Sequence, residues 1–249
     1  MNLSTGLILQ GAAHMARHFA PRQGGDHLDI GAGHGDLIAI IQKQFAMNSC
    51  ACDSRADLMR VANIHVDISD LNRQKLPYVD KSFDLVTCTE VIEHLENFRF
   101  VLRESFRVLR PGGVFVVTTP NVLNLASRIR YLTFGFANLF GPLKLQSQDR
   151  HLTNGHISPI SHFYLIHALA EAGFIDMRVA VDKWQQRSLA WAALLWIPIK
   201  IGAALARSRE RKRYGTIEAS NEAAVRQINS LDIMLGRTMI VGCRKPLRS

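Results

Sequence analysis

Cysteine is scarce, with four in 249 residues. Cys50 and Cys52 have no second pair at a spacing that would complete a zinc site or a disulfide framework. Three of the four cysteines sit in apolar runs that read as strands, so buried, reduced thiols are expected. Aromatic residues are also few, 8% of the chain, and they are not interleaved with the basic clusters as a single-stranded nucleic acid surface requires. Acidic residues are outnumbered, 21 against 30 Lys and Arg, and 30 − 21 leaves +9. Such an excess points to an anionic partner: nucleic acid, anionic lipid or substrate phosphate. No run reaches the roughly 18 uninterrupted apolar residues of a simple membrane span. Leu3–Phe19 mixes His14, Arg17 and His18 into helical spacing, unlike the basic start and apolar core of an export signal. Internal repeats and low-complexity tracts are lacking too. What is present, 47% hydrophobic residues, excludes a disordered chain and suffices for one substantial core.

Short β-rich runs alternate with helical segments, the pattern of a parallel sheet with crossover helices. The runs are His27–Gly31, Ser49–Asp53, Ile64–Asp67, Phe83–Thr89 and Val114–Thr119, followed by Phe174–Val181 and Met239–Arg244. Asp36–Phe45, Asn97–Leu109 and Ser161–Ala172 carry apolar residues at helical spacing, and Pro111-Gly112-Gly113 is expected to stop the second of these. The expected fold is α/β: a doubly wound, Rossmann-like, seven-stranded sheet in a single domain over 1–249, with a helical insertion at 183–237 before the last strand. A second long segment, Pro120–Ser158, begins past a strand end where open α/β sheets place their ligands, and it is expected to cover a substrate.

The decisive local signal is Asp29-Ile30-Gly31-Ala32-Gly33-His34-Gly35-Asp36, a strand that runs through glycines into a helix. Glycines at alternate positions permit a sharp turn and leave no Cβ between backbone and ligand. The third glycine of a dinucleotide fingerprint would fall at Asp36, whose carboxylate would repel a pyrophosphate, so NAD(P) is disfavoured. Asp53, about 20 residues on, is placed as a partner for ribose hydroxyls. A nucleoside without phosphates fits both facts.

With these residues in place, the chain resembles the class I S-adenosylmethionine-dependent methyltransferases over roughly Leu28–Phe174 and the closing strand. The matching features are the Asp29/Gly31/Gly33/Gly35 loop, Asp53, Asp67, Leu76–Val86 entering the fourth strand, and Leu109-Arg110-Pro111-Gly112-Gly113. The resemblance implies that Asp29, Gly31, Ala32, Gly33 and Gly35 hold the methionine part of S-adenosylmethionine. It assigns Asp53 to the ribose, Asp67 and Ile68 to the adenine edge, and Thr89 and Glu90 to the methyl-transfer side.

Methyl transfer from a sulfonium is an in-line displacement, so the protein must align the nucleophile and, for a hydroxyl, remove its proton. Glu90-Val91-Ile92-Glu93-His94-Leu95 follows the fourth strand directly. If it turned helical, Glu90, Glu93 and His94 would share one face and could hold a divalent cation such as magnesium. The segment is similar to one in two metal-assisted groups, the O-methyltransferases of ubiquinone synthesis and those acting on the 3′-terminal 2′-hydroxyl of small RNAs. By that likeness His156 is the later ligand, with His151 or His162 as substitutes and His94 or His156 as base. Metal-free relatives share Glu-His-Leu, so a substrate-facing role for Glu90 and His94 and a structural one stay open. His34 could touch the cofactor; His14, His18, His27, His65 and His167 read as satisfied surface or core histidines.

Leu189–Ile199 is apolar, contains Trp191 and Trp196, and precedes Lys200, Arg207, Arg209, Arg211, Lys212 and Arg213. Tryptophans in apolar bulk followed by cations look like an interfacial membrane anchor, with a buried helix or dimer contact as the alternative. Pro198 and Lys200 would leave it too interrupted to span a bilayer. The expected activity is O-methylation of a small or lipid-linked acceptor, a glycan precursor or quinone-type ring, by a cytoplasmic protein peripheral to the membrane. RNA 2′-O-methylation and a non-catalytic cofactor-binding scaffold are the competing readings.

Overall fold

The computed structural model describes residues 6–143, 145 and 155–247. Its centre is a seven-stranded sheet in the order β3-β2-β1-β4-β5-β7-β6. The strands are β1 (Asp26–Ile30), β2 (Asn48–Asp53), β3 (Val66–Ile68), β4 (Phe83–Thr89), β5 (Leu109–Pro120), β6 (Ile175–Val181) and β7 (Thr238–Arg244). Neighbours from β3 to β5 run parallel, and β7 lies antiparallel between β5 and β6. The winding direction reverses between β1 and β4, which opens a crevice at their C-terminal ends.

Both faces of the sheet are covered. Val114 and Val116 point into a cluster with Leu9, Ala12 and Ala13 of α1 (Gly6–His18), Phe19 just after it, and Leu37, Ile41 and Phe45 of α2 (Asp36–Phe45). Phe115 and Val117 point the other way, toward Val101, Leu102 and Val108 of α3 (Phe98–Val108) and Leu165, Ala168 and Leu169 of α5 (His162–Glu171). This period-two split of one strand between two layers explains why β5 reads as a nearly continuous hydrophobic run. All four cysteines are free.

Two expectations about local structure are corrected. Pro111-Gly112-Gly113 does not stop α3, which has already ended at Val108. Instead these residues bulge out of the β4–β5 ladder, because Phe83 pairs with Leu109 while Leu85 pairs with Val114. The apolar Leu189–Ile199 run is the middle of α6 (Gln186–Arg209), which passes Pro198 unbroken and continues as a π-type turn through Tyr214. Taken together, Gln186–Tyr214 is 29 residues long and apolar enough by length and composition to cross a membrane. Proline removes one helical hydrogen bond, but a helix clamped by its neighbours need not end there. Ala192, Trp196 and Ile199 pack on Leu125 of α4 (Leu125–Phe134) and on Met234 and Leu235 of α8 (Leu231–Leu235). Between α6 and α8 lies the short α7 (Glu222–Gln227).

Candidate active site

From Ile30 the chain turns through Gly31, Gly33 and Gly35, all at positive φ (72°, 51° and 81°), into α2. A Cβ on Gly31 would stand 2.1 Å from Val91 Cγ2, whereas nothing lies within 4 Å of the position a Cβ on Gly33 would take. One glycine therefore lets the loop approach the β4 end, and the other leaves its surface open. Gly31→Ala combines an unfavourable φ with overpacking, and is expected to cost roughly 3 kcal/mol and lower the Tm by about 6–12 °C. Thermal unfolding of Gly31→Ala alone and with Val91→Ala checks this: the second change should recover the overlap but not the backbone strain.

The open surface belongs to a cavity lined by Asp29, Gly31, Ala32, Gly33, His34, Thr89 and Glu90, with Leu9, Asp36, Leu37 and Leu58. Leu9 and Leu58 were not foreseen. The signal available for Leu9 was the helical spacing of apolar residues in α1, which shows a buried face but not what lies beneath it.

Asp29 is fully buried, and loss of water raises its carboxyl to about 7, partly offset by the Thr87 hydroxyl, which donates to Oδ1 at 2.6 Å. His27 Nε2 lies 2.8 Å from that same hydroxyl, and Nδ1 lies 3.1 Å from Ser49 Oγ. Burial lowers His27 to about 3, so the ring is neutral. Since the single Thr87 proton goes to Asp29, His27 must donate through Nε2 and accept from Ser49 through Nδ1. Ser49, His27, Thr87 and Asp29 thus form one directional chain across β2, β1 and β4. His27 is a satisfied core histidine, as expected, but what satisfies it also orients Asp29.

Asp53 ends β2 and accepts from the Gly33 N–H at 2.9 Å and the Arg55 N–H at 3.1 Å. A carboxylate has about four lone-pair sites, so it retains capacity for further donors. The parallel register sets Ile30 beside Cys52, and Asp53 beside Ile68, on the same sheet edge. Asp67 accepts from or pairs with His65 at 3.1 Å, and Ile68 is exposed. Asp53, Asp67 and Ile68 therefore continue the cavity's edge without lining the cavity itself.

The Glu90–His94 segment is not the expected α-helix. Glu90 takes a left-handed φ of 56°, and a single 3₁₀ turn follows over Ile92–His94. This separates the two carboxylates. Glu90 lines the cavity, exchanging hydrogen bonds with Thr118, whose hydroxyl accepts from its N–H and donates to Oε1, both at 3.0 Å. Glu93 turns inward, where Thr119 Oγ1 donates to Oε2 at 3.2 Å. Burial is the main cause that raises both carboxyls, Glu90 to about 7, and Glu90 adds repulsion at Glu93. A left-handed non-glycine residue costs on the order of 1–3 kcal/mol and is held by its surroundings, a pattern that concentrates at functional sites.

Glu93, His94 and His156 converge instead, with one ligand atom from each lying within 4.8 Å of the others. The rings of His94 and His156 meet edge to face at 4.8 Å. The approach is built by the backbone: Ile157 and Ser158 donate to the Glu93 carbonyl at 2.9 and 3.0 Å, and Ser158 Oγ donates to the Leu95 carbonyl at 2.6 Å. Glu93 Oε1 and His156 Nδ1 are buried with no protein partner. Desolvation lowers His156, with an opposing backbone hydrogen bond at Leu139.

Phe140 covers His156 at 5.3 Å between ring centroids, and Arg130 holds that loop by donating to the carbonyls of Phe136, Ala137 and Phe140. His162 is not part of the cluster; its Nε2 is 3.1 Å from Gln227 Oε1. His151 lies outside the described residues. His167 pairs with Glu171 on the surface.

A family model described as a methyltransferase domain matches residues 10–177. A probable S-adenosylmethionine-dependent methyltransferase of Mycolicibacterium smegmatis is 41% identical over 101 residues, 39% of each chain. A ubiquinone biosynthesis O-methyltransferase of Rickettsia typhi is 31% identical over 100 residues, 38% of this chain and 40% of that protein. The chain thus spans about two fifths of the length of these relatives. The crystal structure of a SAM-dependent methyltransferase from Archaeoglobus fulgidus superposes with a TM-score of 0.58 at 18% identity, covering 95% of this chain and 93% of that one. At that identity the likeness is one of fold.

Proposed function

The chain belongs to the S-adenosylmethionine-dependent methyltransferase family, and on that premise we propose that it methylates a hydroxyl of a small or lipid-linked acceptor, such as a glycan precursor or quinone-type ring. The observation that carries this reading is the convergence of Glu93, His94 and His156, the first two on the turn that directly follows Thr89 and Glu90 of the cavity wall. A hydroxyl is a poor nucleophile until its proton leaves, so an acceptor side with two imidazoles suits oxygen better than an already nucleophilic centre. The relatives include ubiquinone O-methyltransferases and ubiquinone/menaquinone C-methyltransferases, so the preference for oxygen rests on the two imidazoles.

The cavity fits the cofactor. It offers an open glycine surface at Gly33 and a buried carboxylate at Asp29. When bound, S-adenosylmethionine supplies an electrophilic methyl group on a sulfonium. Asp29 would hold the ammonium, its acceptor oxygen oriented by the Thr87–His27–Ser49 chain. Asp53 would accept from the ribose hydroxyls, Asp67 and Ile68 would hold the adenine edge, and Thr89 and Glu90 would border the methyl-transfer side. His94 takes the acceptor proton, and His156, under Phe140, limits the entry of water. Turnover with hydroxylated quinone precursors and saccharides, monitored as S-adenosylhomocysteine release, tests the reading; methylation at nitrogen or carbon only would overturn it.

A divalent cation at Glu93, His94 and His156 is a second reading, favoured by the two unpartnered buried atoms, Glu93 Oε1 and His156 Nδ1. With Glu90 turned away, the donor set is two imidazoles and one carboxylate, which suits a first-row transition ion better than magnesium. Under the metal-free reading, dialysis against chelator is expected to leave transfer unchanged. Loss of transfer that zinc or manganese restores would install the metal.

A further inference from the structure

Helix α6 presents a second face that nothing among the described residues covers. Leu194, Ile197, Ile201 and Leu205 are 66%, 68%, 57% and 68% exposed. Their spacing (i, i+3, i+7, i+11) makes one stripe about 17 Å long at 1.5 Å per residue. It lies on the side opposite Ala192, Trp196 and Ile199, which pack on the protein. None of the helix's apolar window is buried. Monomeric proteins rarely leave a continuous apolar strip of this kind in water.

The charges at the end of the stripe are cationic and unneutralised. Arg209, Lys212 and Arg213 are exposed and have no acidic partner among the described residues. Of the nearby acids, Glu222 pairs with Arg211 and Arg226, Glu210 accepts from Thr216 at 2.6 Å, and the exposed Glu218 forms no ion pair with Arg209, Lys212 or Arg213. An open groove at this end is lined by Leu205, Ala206, Arg209, Glu210 and Tyr214, mixing apolar carbon, cation and phenol as the boundary between acyl chain and headgroup does. Lys200, the one cation within the apolar run, is turned toward the protein: its Nζ donates to the Asn229 carbonyl at 3.0 Å and stands 4.4 Å from the Trp196 ring centroid. The apolar stripe is thereby left without a charge of its own.

Length alone would allow α6 to cross a bilayer, but the topology forbids it. The helix leaves β6 and the chain returns to β7, and β7 is hydrogen-bonded between β5 and β6 in one sheet. A single crossing would strand everything after Tyr214 on the far side, and among the described residues no second helix could bring it back. The return segment is also tied to the same body. Asn121 Nδ2 donates to the carbonyls of Ile233 and Gly236 at 2.7 and 2.9 Å, and Arg128 donates to Asn229 Oδ1 at 2.7 Å and the Ile228 carbonyl at 2.8 Å.

We propose that α6 lies flat in the surface of an anionic lipid bilayer, its Leu194–Leu205 stripe among the acyl chains and Arg209, Lys212 and Arg213 on the headgroup phosphates. That this docking serves to bring the site to a lipid-linked acceptor rests on the function proposed above; the docking itself does not.

The test is flotation of the full chain with phosphatidylcholine vesicles, with and without phosphatidylglycerol, at low and high salt. The chain is expected to float with the anionic vesicles and to be released in part by salt. Ile197→Glu with Ile201→Glu should reduce partition on the order of 100-fold. Arg209→Ala, Lys212→Ala and Arg213→Ala should each reduce it about fivefold on anionic vesicles, with no change on neutral ones. Affinity for S-adenosylmethionine, measured by calorimetry, should match the native chain in every variant, which shows that each is folded. Any of four results overturns the proposal. These are absence of flotation, equal flotation of the apolar double variant, a dimer in solution that this variant dissociates, and protection of residues 215–237 from protease added outside sealed vesicles. RNA retention lost with the cations but not with the isoleucines, without flotation, would assign the surface to nucleic acid instead. Flotation requires no turnover, so its failure leaves the methyltransferase reading standing, while a chain that floats but binds no cofactor overturns that reading alone.

Discussion

His94→Ala is expected to lower methyl transfer by about 10²–10⁴-fold, the usual contribution of a positioned general base, while cofactor affinity changes less than about twofold. The separation follows from the geometry. His94 stands with Glu93 and His156 at the end of a 3₁₀ turn, whereas the cavity is lined by Asp29, the glycine loop, Thr89 and Glu90. Removing the imidazole leaves the cavity walls in place and withdraws the proposed proton acceptor. His94→Gln, which keeps hydrogen bonding but no basic nitrogen, should be as inactive as the alanine variant. Rates measured across pH add a second readout: raising the pH should partly rescue either variant as hydroxide replaces the missing base, a response that a purely structural role would not produce. Native turnover in His94→Ala would remove the residue from the mechanism.

Asp29→Asn is expected to weaken S-adenosylmethionine binding by about 10²–10⁴-fold, since truncating one partner of a buried charge pair costs about 3–5 kcal/mol. The effect has a pH signature. Burial raises Asp29 to about 7, so in the cofactor-free chain it is largely protonated below that value. Pairing with an ammonium requires the ionised form. Affinity should therefore fall up to about tenfold per pH unit as the pH drops below 7, and level off above it. Glu90 lines the same cavity and is also raised to about 7, so the share that disappears in Asp29→Asn is the part belonging to Asp29. Calorimetric titrations of both chains between pH 5 and 9 read this directly; an unchanged pH slope in the variant would sink the assignment. Stability should respond with the opposite sign. The folded chain holds a proton on Asp29 between 3.8 and about 7 that the unfolded chain releases, so folding is favoured below that window and loses this contribution as the pH rises through it. Asp29→Asn should consequently raise the Tm of the cofactor-free protein at alkaline pH while impairing binding. A site that stabilises its ligand at the expense of the empty fold behaves in this way.

Much of the cofactor side was legible along the chain because its signals are local. The alternation of strands and helices, the glycines after Ile30, and acids at successive strand ends each need only neighbouring residues to be recognised. Asp29 is the partial exception: its place in the loop is local, but its orientation depends on Ser49 and Thr87, which reach it only through the β2–β1–β4 register.

The acceptor side shows the limit. Spacing put Glu90, Glu93 and His94 on one helical face, and a single left-handed φ at Glu90 separates the first from the other two. What joins Glu93 and His94 to His156 is a pair of backbone hydrogen bonds from Ile157 and Ser158, more than 60 residues away in the chain.

The same division holds for α6. Composition identified its apolar run and its cations, but treated Pro198 and Lys200 as interruptions. Packing on α4 and α8 carries the helix past Pro198 and turns Lys200 toward Asn229, and the return of the chain to β7 excludes a crossing. For this protein the sequence by itself determined the sheet, the glycine loop and the chemical types at the site, since short-range propensity and spacing encode them. Only the tertiary structure decided which carboxylate joins the histidines and which face of α6 is left to water, because those depend on register and on contacts between segments far apart in the chain.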